Sequence, residues 1–266
     1  MKKMSEKESK KVLVEILRYF DSLCRKNKIK YTLIGGSLIG AVRHKGMIPW
    51  DDDIDVILTQ KEYQKLLKAV EKDNDSIFKF YDYHDDKTTY YPFLKLIDTR
   101  TFVDDGVKEI EKYGAYLDIF CLNNIPENKL LSKIHYYKFM FYKIIISGYA
   151  TLTYTDKTKY AKYKKLGNII AKITGIRFIL KRYNKLANKY NKKKSTKVIS
   201  NWPCYKWEKD IFDSSDFEKY IDCEFDGVNA MIIKNYDNVL RHTFGDYMKL
   251  PPKEQRVNHN MKFYWK

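Results

Sequence analysis

Four aspartates, Asp51, Asp52, Asp53 and Asp55, fall within five residues of the string "IGGSLIGAVRHKGMIPWDDDIDVIL", Ile34 to Leu58. Carboxylates this close repel one another unless a cation lies between them. On an extended chain Asp51, Asp53 and Asp55 share one face, with Ile54, Val56 and Leu58 on the other. Asp52 falls in the apolar phase and is expected at the strand mouth. Hard oxygen ligands suit Mg²⁺, and two such ions roughly 3.5–4 Å apart can clamp a phosphoryl group during in-line displacement. Upstream, Gly35-Gly36-Ser37 ends a short strand and opens a helix. Such a turn offers free backbone N–H groups and the positive end of a helix dipole, and glycine lets a phosphate approach the backbone. Arg43 and Lys45 add positive charge, Arg43 with a fork of donors. His44 is expected to be exposed or supporting, and is not assigned as a base.

These groups need elements to hold them. Val12, Ile16, Tyr19, Phe20 and Leu23 recur at helical spacing over residues 5–28. "YTLIGG" reads as a short strand, and "SLIGAVRHKG" as a short helix with Ser37 as N-cap and Gly46 as its stop. "DIDVIL" reads as a buried strand, and Thr59 with Glu62 as a capping box for the helix that follows. Residues 78–83, 90–103 and 113–121, rich in Tyr, Phe, Ile and Val, read as further strands. The fold class expected is α/β (α+β): a mixed sheet with flanking helices, a basic helical insertion and a C-terminal cap.

Three segments follow from composition: 1–125 as the catalytic core, 126–200 as a basic helical segment, and 201–266 as a C-terminal segment that completes the site. Between Asn128 and Trp207 one acid, Asp156, stands against about twenty Lys and Arg. Leu166, Ile169, Ile170, Ile173, Ile176, Leu180 and Tyr183 keep one helical face through it. "NKYNKKKST" is the linker expected near its end.

The 266 residues carry 44% apolar side chains, enough for a substantial core, and a net charge of +17 that calls for an anionic partner. Four dispersed cysteines show neither a disulfide framework nor zinc-ligand spacing, as in a reduced cytoplasmic protein. The N-terminus has no apolar signal region, and the most apolar run, "FMFYKIIISGYATLTY", is broken by Lys143 and too short to span a bilayer.

Two buried-looking charges remain open on the residues alone. Asp118, in "YLDIF", is either a turn or cap residue or a carboxylate that needs a partner. Lys95, in "PFLKLID", is either a salt-bridged or snorkelling lysine or a phosphate contact.

"GGS" followed by "DIDV" resembles the signature of the nucleotidyltransferase superfamily that includes DNA polymerase β. The longer "GGSLIGAVRHKGMIPWDDDIDV" resembles the LicD family, as do "LCRKNKIKYTLIGG", "YLDIF" and "FGDYMKLPPKEQRV". Fukutin-type ribitol-phosphate transferases are distant relatives of that family. The resemblance covers about two thirds of the chain and leaves roughly 126–200 without a motif. It implies metal-binding and catalytic roles for Asp53, Asp55 and Asp118, and a phosphate-binding turn at Gly36 and Ser37. Here "IGGS" stands where relatives often have "DGGT", which keeps the hydroxyl and replaces an acid by Ile34.

The activity implied is Mg²⁺-dependent transfer of phosphocholine from CDP-choline to a sugar hydroxyl of a bacterial surface glycan, of teichoic acid or lipopolysaccharide type. Two ions are expected. Quaternary ammonium favours aromatic faces, so Trp50, Trp202, Tyr205 and Trp207 are candidates for the choline or acceptor pocket, with Arg256 and His259 for its wall. The basic middle could meet an anionic or lipid-linked glycan acceptor, or make peripheral contact with an anionic inner leaflet from the cytoplasm. Transfer of ribitol phosphate or of a nucleotidyl group is the alternative within the fold. A non-catalytic nucleic-acid-binding protein is the alternative outside it, and the acidic cluster argues against nucleic acid as partner.

Overall fold

The computed structural model describes residues 1–83, 90–106, 113–152, 154, 160–256, 258 and 260–266. Strand β1 (Lys2–Lys3) leads into helix α1 (Glu6–Lys26), followed by β2 (Thr32–Leu33) and α2 (Gly35–Ile39). Next come β3 (Asp55–Thr59), α3 (Gln60–Val70), β4 (Phe78–Tyr81), β5 (Leu94–Asp98), β6 (Thr101–Asp104) and β7 (Tyr116–Asn124). Three helices follow: α4 (Lys129–Ala150), α5 (Ala161–Thr174) and α6 (Ile176–Ala187). The remainder is β8 (Lys197–Ser200), α7 (Trp207–Asp210), β9 (Ile211–Asp213), β10 (Tyr220–Phe225), β11 (Val228–Ile233), α8 (Tyr236–Phe244) and β12 (Lys262–Trp265).

Local chemistry sets the helix ends. Ser5 and Glu8 form a reciprocal capping box at the start of α1, whose last turn carries Arg25 and Lys26 against the dipole. The expected box at Thr59 is only half formed. Thr59 caps Glu62 N–H, but the Glu62 carboxylate accepts from Lys30 N at 2.8 Å and binds Lys65 instead. Ser37 is not the N-cap of α2. Ile34 holds that place, and the helix runs on as a π-helical stretch, Gly40–His44, stopped by Lys45 in the left-handed region rather than by Gly46.

The central sheet runs β2-β3-β7-β5-β4. Strand β7 is long enough to pair with β5 along its first half and with β8 along its second, and β9 extends the sheet from β8. Only the β3–β7 pairing is parallel within this set. Alternation along β3 divides the two faces. Val56 and Leu58 point into the main core with Ile16, Leu17 and Phe20 of α1. Ile57 joins Phe93, Phe120 and Leu122 on the other face, where Val239 of α8 packs. Asp55 shares the phase of Ile57 and so belongs to that second face. A three-stranded sheet, β1-β12-β6, ties residues 2–3 and 262–265 to the core.

The middle segment is helical, and its Phe139, Ile146, Leu180 and Tyr183 form an apolar cluster that Tyr83 of the first segment joins and Trp202 of the last packs against. Helices α4 and α5 are antiparallel and very close. A Cβ at Gly148 would meet Lys164 O at 2.1 Å, and one at Gly167 would meet Ile145 Cα at 2.8 Å. The single helical face expected from Leu166 to Tyr183 is broken at Gly175, with φ of 83°. Ile176, Leu180 and Tyr183 are buried, but Leu166, Ile169 and Ile173 are exposed. The expected linker is a 3₁₀ turn, Asn188–Tyr190, followed by Asn191, whose amide binds Asn123 and Asn124 of β7. No helix among the described residues is long and apolar enough to cross a membrane.

Candidate active site

Pairing register assembles the site. Asp55 on β3 lies opposite Asp118 on β7, and Asp118 lies opposite Lys95 on β5. Residues opposite one another on adjacent strands share a face, so these three form a row across the sheet. Lys95 is 2% exposed, and its ammonium meets Asp118 Oδ1 at 2.5 Å. The Tyr116 ring centroid lies 3.5 Å from Nζ, and Tyr91 and Phe93 flank it. Lys95 is therefore a buried, salt-bridged lysine, and Asp118 a strand carboxylate with a cationic partner.

Negative charge exceeds this compensation. Burial, then Asp53, Asp118 and Asp51, push the Asp55 carboxyl well above the ordinary carboxylate range, and Lys95 opposes them. Asp51 and Asp53 precede the regular strand, which begins at Asp55. A Cβ at Gly36 would lie 2.6 Å from Asp51 Oδ2, and one at Gly35 3.9 Å from Asp55 Oδ2. The two glycines thus leave room for carboxylates at the mouth of β3. Asp51 belongs with the other acids, a position that alternation hinted at without assigning it a role. Asp52 points elsewhere and accepts from Met261 N at 3.0 Å.

Ser37 has a structural task, because its Oγ accepts from Asp55 N at 2.9 Å and anchors the start of β3. As a hydroxyl it keeps its own proton to donate.

On one side of this row opens a cleft lined by Gly35, Asp55, Trp202, Tyr205, Asp210 and Phe244 among others. Trp202 packs edge-on to Tyr91 and Phe93, and Tyr205 edge-on to Phe244. Burial raises the Tyr205 phenol, with Cys204, Asp55, Asp210 and Asp53 adding to it, which ties this ring to the acidic row. Asp210 fixes the cleft floor by accepting from the backbone N–H groups of Cys204 and Tyr205. Phe244 and Asp210 were not singled out in the sequence. They come from α8 and α7, far along the chain, with no spacing to betray them.

Trp50 and Arg256 form a different group. The Arg256 guanidinium stacks 4.9 Å from the Trp50 ring, and His44 packs edge-on to the same ring. Arg43 Nε donates to His44 Nε2 at 2.9 Å, and Arg43 also donates to Tyr247 O. His44 thus accepts at Nε2, and burial with the Arg43 charge lowers its pKa. Burial and Arg256 likewise lower that of Arg43. Among the described residues neither arginine has an acidic partner within salt-bridge distance. Two like charges held together in this way favour an anion between them.

Two expected residues lie elsewhere. Lys45 is exposed, and its carbonyl accepts from Asp226 at the tip of the β10–β11 hairpin. Trp207 does not line the aromatic cleft. Its indole donates to Ser132 of α4 at 3.1 Å, and Lys133 lies over its ring. His259 falls outside the described residues.

The donor set suits a hard divalent cation, since it consists of carboxylate oxygens whose mutual repulsion a cation would relieve. Among the described residues no group of three ligating side chains already converges as a finished cage. Asp118 engages Lys95 through Oδ1.

Residues 28–143 match the family model described as LicD/FKTN/FKRP, nucleotidyltransferase domain. The chain is similar to the lipopolysaccharide cholinephosphotransferase LicD of Haemophilus influenzae, with 30% identity over 273 residues and 98% of each chain covered. A shorter stretch is similar to an uncharacterized protein of Rickettsia typhi, 38% identical over 68 residues, 24% of this chain and 22% of that one. Another is similar to an uncharacterized protein of Rickettsia prowazekii, 48% identical over 44 residues, 16% of each.

Proposed function

The chain belongs to the LicD nucleotidyltransferase family, and from that premise we propose that it transfers phosphocholine from CDP-choline to a sugar hydroxyl of a bacterial surface glycan. One observation carries the reading at the residue level: the Asp55–Asp118–Lys95 row, with its excess of carboxylate, bordering an aromatic cleft.

The acceptor oxygen attacks the phosphorus that bears choline. That O–P bond forms as the bond from phosphorus to the CMP oxygen breaks, and the hydroxyl proton passes to the carboxylate cluster. Asp53, Asp55 and Asp118 would hold Mg²⁺, two ions in our reading, which would supply charge neutralisation on the diphosphate and the departing CMP oxygen. Gly36 and Ser37 offer an open helix start to the donor phosphates. Arg43 and Arg256 supply cationic charge. Lys95 holds Asp118 in the meantime.

Trp202 and Tyr205, with Phe244 beside them, offer the π faces that a quaternary ammonium favours. Trp50 and Arg256 suit the acceptor or diphosphate side. The acceptor is an anionic or lipid-linked glycan, and the enzyme works from the cytoplasm, at the inner face of the plasma membrane.

Titration of CDP-choline, against CDP-ethanolamine, CDP-ribitol and CTP, with and without Mg²⁺, tests the donor. Selective, Mg²⁺-dependent binding of CDP-choline is expected. Release of CMP should fall ~10²-fold or more in Asp53→Asn. Near wild-type turnover of that variant in Mg²⁺ would remove the mechanism.

A further inference from the structure

Helix α5 wears its apolar face outward. It packs on α4 through Gly167 and Ala171, which are buried. Leu166, Ile169 and Ile173 lie on the opposite side, with Ile173 80% exposed. Helix α4 continues the surface. Its face that receives α5 at Ile145 and Gly148 runs on uncovered over Leu130, Ile134, Tyr137 and Phe141. Large apolar side chains exposed together in this way mark a docking site.

Charge decides what docks there. By helical spacing Lys162 lies within the α5 stripe, and Lys165 and Lys172 run along its edge. The adjoining groove between α4 and α6 is lined by Lys138, Arg182, Lys185, Lys189 and Lys192. Over residues 128–207 one acid, Asp156, accompanies about twenty basic residues, so a second copy would bring like charge to like charge. An apolar, tyrosine-bearing surface in a field of lysines has instead the composition of an interfacial element. Its apolar side chains enter the acyl boundary while lysines reach anionic headgroups.

We propose that the outward face of the α4–α5 pair is a membrane-docking surface that lies in the headgroup region of an anionic bilayer. This identifies the surface that would hold the enzyme at a membrane, and it rests on nothing in the transferase chemistry.

The full chain is floated with vesicles of phosphatidylcholine alone and of phosphatidylcholine mixed with phosphatidylglycerol. Partitioning should be about tenfold or more stronger on the anionic vesicles, and should weaken with salt. Ile169→Ser/Ile173→Ser should reduce it about tenfold, and Lys162→Glu/Lys165→Glu should remove the preference for phosphatidylglycerol. All four residues are exposed, so circular dichroism should be unchanged. CDP-choline titration of the same samples separates the two proposals, because it should be unaltered in both variants.

Absence of partitioning at low salt would overturn the assignment. So would partitioning indifferent to the isoleucine pair, which would make the surface a site for a soluble polyanion or an acidic protein. Self-association in light scattering that the same pair abolishes would overturn it too, by making the face a contact between copies.

Discussion

Lys95 is the residue on which the acidic row depends for charge balance. It is buried, and its ammonium is bound to Asp118 beneath an aromatic ring. Removing one member of such a pair leaves an uncompensated buried charge, a larger loss than the pair's net contribution. Lys95→Met, which keeps most of the apolar stem, should therefore destabilise the fold by ~3 kcal/mol in urea titration. Lys95→Met/Asp118→Asn should recover much of that, a coupling that two independent sites would lack. Gly36 tests the opposite case. An added methyl would meet only the far end of Asp51, at 2.6 Å, so Gly36→Ala should cost little stability. It must displace that carboxylate, however, and turnover should fall ~10-fold with the melting temperature nearly unchanged. Equal losses in both measurements would place Asp51 outside the working site. Of these residues, Asp53 and Asp55 are legible in the sequence because their relation is local and of period two. Asp118 gains a role there only through the family resemblance. The partnership of Lys95 with Asp118 is set by strand register across 23 positions, which neither residue's neighbours encode.

At the scale of elements, periodicity reports that a helix has an apolar face and not what covers it. The run from Leu166 to Tyr183 reads as one core-facing stripe, yet Gly175 divides it, and the half on α5 faces outward while the half on α6 is buried. The capping box at Ser5 and Glu8, though local, was not singled out in the sequence, and of the box expected at Thr59 and Glu62 the Thr59 half formed. Expected caps failed where a distant group intervened: Lys30 N takes the Glu62 carboxylate, and Asp55 N takes the Ser37 hydroxyl. The packing of α4 also carries a pH dependence. His135 is buried between Phe139 and Tyr190 with no partner for Nε2, and burial, with Lys189 and Lys138, lowers its pKa to about 4. In the unfolded chain it titrates near the ordinary histidine value of about 6.5. Between those values the unfolded state binds the extra proton, so stability is full above pH ~6.5 and declines as pH falls toward ~4. His135→Phe should flatten that part of the profile in thermal melts recorded across the range. An unchanged slope would mean that other groups carry it.

At the scale of the molecule, the acidic loop is held by strands that composition could not connect to it. Segments 1–125, 126–200 and 201–266 differ in charge and pattern, but β8 and β9 lengthen the sheet of the first, and β12 lies between β1 and β6. These pairings join positions as far apart as Lys2 and Trp265, and no window of sequence contains both sides of them. Their consequence reaches the site. Asp52 accepts from Met261 N immediately before β12, and Lys10 of α1 donates to Pro49 O at 2.5 Å, so the loop carrying Asp51 and Asp53 is tied at both flanks. Removing residues 261–266 would delete β12, expose Val103 and unfasten Asp52 together. The truncated chain should lose a few kcal/mol of stability and, at a temperature where it remains folded, turn over more slowly than wild type. Asp52→Ala separates the two effects. It leaves β12 paired and removes the tie to Met261, so it should spare most of the stability while still slowing turnover, with CDP-choline affinity reduced less than kcat. If Asp52→Ala retained full activity while the truncation did not, β12 would act on the fold alone, and the aspartate loop would hold its shape through α1 and the Gly35–Gly36 turn.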